Sequence, residues 1–145
     1  MKVSLIVSCV ILLSTLCAFA QTGFFFVDNK GHCSIAVKSV NNQDEYCITE
    51  EPIIKGSEFK TEGNLQYDLT QQNQFFNIRF TKNGFETLKL ICEHMPEKGL
   101  VLVVNGKVAG TYDGKNLKPT LVMPVSGKAN SKEITWVFEN LKNHK

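Results

Sequence analysis

The run Leu100-Val101-Leu102-Val103-Val104 stops at Asn105-Gly106, and this junction constrains the fold more tightly than any other stretch of the chain. Asn-Gly is the pair that a type I′ turn prefers, because both central residues need positive φ. A strand over 100–104, a two-residue turn and a returning strand over 107–110 are therefore predicted. Elsewhere the hydrophobic period assigns the elements. Phe24-Phe25-Phe26-Val27 is a short apolar run before the turn residues 28–31, and further strands are predicted around 34–40 and 46–49. The stretch 50–64 holds Pro52, Gly56 and Gly63 and reads as irregular, with Ile53, Ile54 and Phe59 inserted into the core. Leu65, Tyr67 and Leu69, then Phe76, Ile78 and Phe80, alternate with polar neighbours and predict two half-buried strands.

Two helices complete the set. Thr81-Lys82-Asn83 offers a cap, and Phe85, Leu88, Cys92 and Met95 recur at steps of three and four until Pro96. After a strand over 120–125, Ser131 caps a segment in which Ile134, Val137, Phe138 and Leu141 fall at i, i+3, i+4 and i+7. The predicted class is α+β: a single mixed or antiparallel sheet with two amphipathic helices on one face.

The first twenty residues have another origin. Lys2 is followed by an uncharged run over 3–16 rich in Leu, Ile and Val, and Ala18-Phe19-Ala20 puts small residues at the last position before a cut and two before it. That is the pattern of a secretory leader cleaved between Ala20 and Gln21. As a membrane anchor the run is short of the ~20 apolar residues that span a bilayer, and no cationic stop-transfer cluster follows it. A mature domain over 21–145, periplasmic or extracellular, is expected, with membrane contact only through an uncut leader. Of 16 basic and 14 acidic residues, the loss of Lys2 leaves 15 and 14. Interspersed, nearly balanced charge argues against a nucleic-acid partner.

Five cysteines become three when Cys9 and Cys17 leave with the leader. Cys33 and Cys47 flank the polar stretch 41–44, which reads as a hairpin tip, and they form the candidate disulfide. Cys92 is left as a free thiol on the apolar side of the first helix.

Catalytic constellations are sparse. His32, His94 and His144 are the available imidazoles, and neither His32-Cys33 nor Cys92-Glu93-His94 has the paired spacing of a zinc site. Residues 110–114 lack the Lys and Ser/Thr of a phosphate loop. No enzyme, metal or cofactor is expected. Trp136 lies about 200° around from Ile134 on the last helix, away from the apolar stripe. It reads either as a contact residue or as extra core against the N-terminal strands. Tyr112, beyond the hairpin, is the second candidate contact residue.

The order of elements and the words at their junctions resemble the head region of the periplasmic domain of SecD, a subunit of the bacterial protein-export machinery. The words are Phe80-Thr81-Lys82-Asn83-Gly84 into the first helix, Val103-Val104-Asn105-Gly106-Lys107-Val108 through the hairpin, and Val125-Ser126-Gly127 before Ser131-Lys132-Glu133-Ile134. Upstream, Pro52-Ile53-Ile54 and Gly56-Ser57 resemble the segment that leads into the head, so the likeness runs over about 46–141. In the family a small residue and a Pro follow the hairpin, whereas here residues 109–114 intervene and Pro119 comes later. The resemblance implies the head fold and its contact with exported polypeptides, without the proton-coupled membrane helices. The function expected is thus a non-enzymatic exported binding protein with a polypeptide or protein partner. The alternative is an interaction module or inhibitor with one folded partner.

Overall fold

The computed structural model describes residues 21–28, 31, 33, 35–128 and 131–144. The leader and its cleavage, read in residues 1–20, and His32 lie outside the described residues, as does part of the turn 28–31. The elements in order are β1 (Gly23–Phe26), β2 (Ile35–Lys38), β3 (Glu45–Ile48), β4 (Ile54–Lys55), a 3-10 turn (Gly56–Glu58), β5 (Phe59–Asp68), β6 (Asn73–Phe80), α1 (Lys82–His94), β7 (Leu100–Val104), β8 (Lys107–Tyr112), β9 (Val122–Lys128) and α2 (Lys132–Lys142). The class is α+β, as the periodicity predicts.

The strands form three antiparallel groups, where the sequence predicts one sheet. A four-stranded sheet runs β4-β1-β7-β8, a two-stranded hairpin joins β2 and β3, and a second sheet runs β5-β6-β9. The reason lies in β1 and β7, which pair along the whole of β1, Phe24 opposite Leu102 and Phe25 opposite Val101, and which are buried at every residue. Successive side chains of a strand point to opposite faces, so an unbroken apolar run needs cover on both. Phe24, Phe26, Leu100, Leu102 and Val104 enter the main core, while Phe25, Val101 and Val103 enter a second one with Val37, Ile48 and Val108. The β2–β3 hairpin covers that second face. It is joined to the four-stranded sheet by bridges from Val27 to Ile48 and from Ser39 to Val108, and Cys33 is bonded to Cys47, as expected from their spacing.

The main core is closed by α1, α2 and one face of the second sheet, through Leu88 and Ile91, Ile134, Val137, Phe138 and Leu141, and Phe76, Ile78, Met123 and Val125. All four predicted positions of α2 are buried, and Ser131 Oγ accepts the Ile134 N–H at 3.4 Å. On α1 the stripe is rotated. Gly84, Leu88 and Ile91 are its buried residues, while Phe85, Cys92 and Met95 pack at its margin. The rotation follows from a close approach: a Cβ on Gly84 would stand 2.6 Å from the Glu58 carbonyl oxygen, so the helix meets the 3-10 turn through its glycine.

Two turn residues behave differently from one another. Asn105 and Gly106 have φ of 47° and 75°, as a type I′ turn requires. Gly63, read as irregular chain, instead lies within the continuous ten-residue strand β5, where its φ of 74° serves a bulge between Glu62 and Gln66.

Two expected outcomes follow from this packing. Replacing Cys33 and Cys47 together by Ala should lower the unfolding free energy by roughly 3 kcal/mol, the loop-closure value for a loop of this size, measured as a lower guanidinium midpoint. An unshifted midpoint would contradict a stabilising role for the bond. Gly84→Ala should destabilise by ~1–3 kcal/mol through overpacking on Glu58, although Ala exceeds Gly by about 1 kcal/mol in an open helix. A thermal melt equal to or above that of the parent would refute the close approach.

Candidate interaction edge

The first sheet is covered on both faces, so the surface that remains open belongs to the second. One face of β6 points into the main core through Phe76, Ile78 and Phe80. Phe75, Asn77 and Arg79 alternate with these and are only half-buried. Arg79 reaches across to Glu62 on β5, its Nε donating to Oε1 at 2.7 Å. Both side chains are about two-fifths exposed (40% and 38%). An ion pair that exposed contributes at most about 1 kcal/mol, so it positions side chains more than it stabilises the sheet.

The two edges of this sheet are β5 and β9. In an antiparallel ladder, hydrogen-bonded and non-bonded pairs alternate. The Phe80 N–H donates to the Leu121 carbonyl at 3.0 Å, which sets the phase, so Pro124 opposite Asn77 falls on a non-bonded pair and its nitrogen faces outward. A proline there removes a donor from the outer side of β9 and blunts it. On β5 the bulge at Gly63 interrupts the proximal half. Past it, Gln66 pairs with Phe75 and Asp68 with Asn73, and the same alternation turns the backbone N–H and C=O of Tyr67 away from β6.

Two of the four large apolar side chains exposed among the described residues lie in this distal stretch, the others being Leu90 on α1 and Leu121 before β9. Tyr67 is 48% exposed and Leu69 81%. The sequence predicts both as half-buried, because Leu65, Tyr67 and Leu69 alternate like a core-facing strand. The alternation fails at the turn: Asp68 Oδ1 accepts the N–H groups of Thr70 and Gln71 at 2.9 and 3.2 Å, and Leu69 belongs to that turn. The Asp68 that opens it is the signal in the sequence that marks Leu69 as a tip residue. Across from Tyr67, Gln74 shares a hollow of about 330 Å³ with Ser131, Lys132 and Thr135 at the start of α2. Its Oε1 is buried and has no hydrogen-bond partner among the described residues.

The two candidate contact residues lie elsewhere. Trp136 is half-buried on α2 and packs against the main core, and its carbonyl accepts the Asn140 Nδ2–H at 2.8 Å. Tyr112 ends β8, half-buried against the same core, with its ring 5.8 Å from that of Phe24. They sit on separate elements. Burial pushes the Tyr112 phenol above the ordinary tyrosine range. Burial, and then the neighbouring Glu93, push the free Cys92 thiol up as well, which lowers its reactivity. Among the described residues no group of three or more His, Cys, Asp or Glu could hold a metal ion, and no helix is long and apolar enough to cross a membrane.

No protein-family model and no curated protein matches the chain. Solved structures do. One is a structure of SecDF, described as a membrane component that enhances protein export, with a TM-score of 0.61 at 13% identity over 92% of this chain and 67% of that one. Another is SecDF in its super-membrane-facing form, with a TM-score of 0.58 at 12% identity over 90% of this chain and 20% of the other. The chain therefore spans a fifth of the length of that second structure. At such identities the likeness is one of fold, and it supports a SecD-like fold over most of the chain, as the resemblance over 46–141 implies.

The desolvated Tyr112 gives a pH dependence with a definite sign. The folded state holds the phenol proton more tightly than the unfolded chain, so its contribution is complete below the ordinary pKa of about 10 and declines as pH rises above it. In an ultraviolet titration, the Tyr112 phenolate signal, taken as the difference between the parent and Tyr112→Phe, should appear above the pH range in which an ordinary tyrosine ionises. A reversible titration near pH 10 in the folded protein would contradict the burial.

Proposed function

We propose that this chain is an exported, non-enzymatic binding domain that contacts polypeptides in extended form, and that residues 1–20 are a leader cut between Ala20 and Gln21. The observation that carries the reading is the distal edge of β5, where backbone without a further strand partner among the described residues coincides with exposed Tyr67 and Leu69. A guest strand laid along that edge gains main-chain hydrogen bonds and apolar contact together. Gln74, across from Tyr67, has a buried acceptor without a partner among the described residues, which is compatible with a donor from a guest at this end of the sheet. The SecD-like fold, shared with a component described as enhancing protein export, supports a polypeptide as the guest. The Cys33–Cys47 bond fits an oxidising compartment outside the cytoplasm. Trp136 and Tyr112 act here as supports of the core, with the partly open Trp136 as the secondary contact.

A second reading has its own observation. Pro124 on one edge and the Gly63 bulge on the other are devices that discourage indiscriminate strand addition, which favours a module with one folded partner. Binding experiments separate the two. Residues 21–145 should bind a permanently unfolded model substrate with saturable, micromolar affinity, and Tyr67→Ser and Leu69→Ser should each weaken it by roughly tenfold, ~1.4 kcal/mol. Absence of binding at high micromolar concentration, together with a single stoichiometric partner drawn from envelope extract, would replace the first reading with the second.

A further inference from the structure

Gln21 would be the first residue of the mature chain under the export reading, and the structure holds the chain from that point onward. Its carbonyl accepts the Gly106 N–H at 3.2 Å. The next residue, Thr22, is 7% exposed. Its carbonyl accepts the Gly56 N–H at 3.0 Å and its hydroxyl oxygen accepts the Asn105 N–H at 3.1 Å. Residues 21 and 22 are thus tied to the hairpin turn and to the start of the 3-10 turn, while Gln21 itself is exposed. It also stands on the rim of a small cavity of about 20 Å³ under the β2–β3 hairpin, walled by Phe25, Val37, Ile48 and Val103, with Glu50 on the same rim.

We propose that Gln21, once freed by cleavage after Ala20, closes on itself to pyroglutamate; the proposal rests on the export reading above. The lone pair of the new α-amino nitrogen attacks the side-chain amide carbon, Cδ. A bond forms between that nitrogen and Cδ, the Cδ–Nε2 bond breaks, and Nε2 leaves as ammonia with one proton from the α-amine. The step is internal to one residue and needs no co-reactant.

Two features of the site are compatible with it. The five-membered ring comprises N, Cα, Cβ, Cγ and Cδ, so the Gln21 carbonyl keeps its bond to Gly106 and nothing at Thr22 changes. Gln21 is exposed, so its side chain has room to fold back onto its own nitrogen and the ammonia leaves into solvent.

The test uses the full chain, produced with its leader in an exporting host and recovered from outside the cytoplasm. The expected product has the mass of residues 21–145 less one ammonia and gives no sequence in Edman degradation. After denaturation and treatment with pyroglutamate aminopeptidase it should read from Thr22. A product of full 21–145 mass that sequences directly from Gln21 overturns the cyclisation and leaves the export reading standing. A product that retains residues 1–20, or starts elsewhere, overturns both. Gln21→Ala lacks the amide, so it should be cut at the same bond and sequence directly. A blocked terminus in that variant would show that the block is not pyroglutamate.

Discussion

The pairing of β1 with β7 is the constraint from which the remaining architecture follows. All nine residues of the two strands, Gly23–Phe26 and Leu100–Val104, are buried, and eight of them form four consecutive β1–β7 pairs. Each large side chain among them contributes roughly 1.5–3 kcal/mol by leaving water, but only if something lies against it. One face finds α1, α2 and the second sheet; the other finds the β2–β3 hairpin. The chain therefore cannot be a two-layer sandwich of one sheet and two helices. It needs a third cover, and the disulfide sits in that cover, where the apolar area available from two four-residue strands is smallest.

Much of this is legible in the sequence. The Asn105-Gly106 turn, the apolar stripe of α2, its Ser131 cap and the Cys33–Cys47 pair follow from local chemistry, which acts over a few residues and leaves a local trace. What escaped has a different range. An unbroken apolar run says that both faces are covered without saying by what, so the three-sheet arrangement was hidden. A glycine marks positive φ whether the chain turns or bulges, and at Gly63 the partner strand β6 decides for a bulge. The α1 stripe turned from Cys92 to Ile91 because of Glu58, a residue more than twenty positions upstream of the helix centre.

The candidate edge was the least legible part. Tyr67 and Leu69 carry the alternation of core residues, yet both are exposed, Leu69 because it belongs to the turn that Asp68 opens. Its setting between Pro124 on one margin and the Gly63 bulge on the other also explains how a sheet with open sides remains a discrete object: most of its perimeter is unsuitable for pairing, and one short stretch is left unmodified. The fold likeness to SecDF at 13% identity is compatible with this, since burial and turn chemistry can be satisfied by many residues while an edge is defined by few.

The β2–β3 hairpin has one more consequence, in kinetic terms. Two strands of four residues are too small to persist alone in water, so the hairpin is ordered only while it lies on Phe25, Val101 and Val103. Its detachment is a smaller event than global unfolding, because the main core stays closed behind the sheet. Amide protons of β2 and β3 thus belong to a separate, faster-exchanging unit than those of β1 and β7, and the Cys33–Cys47 crosslink works as the clasp that limits how far that unit can swing before it returns.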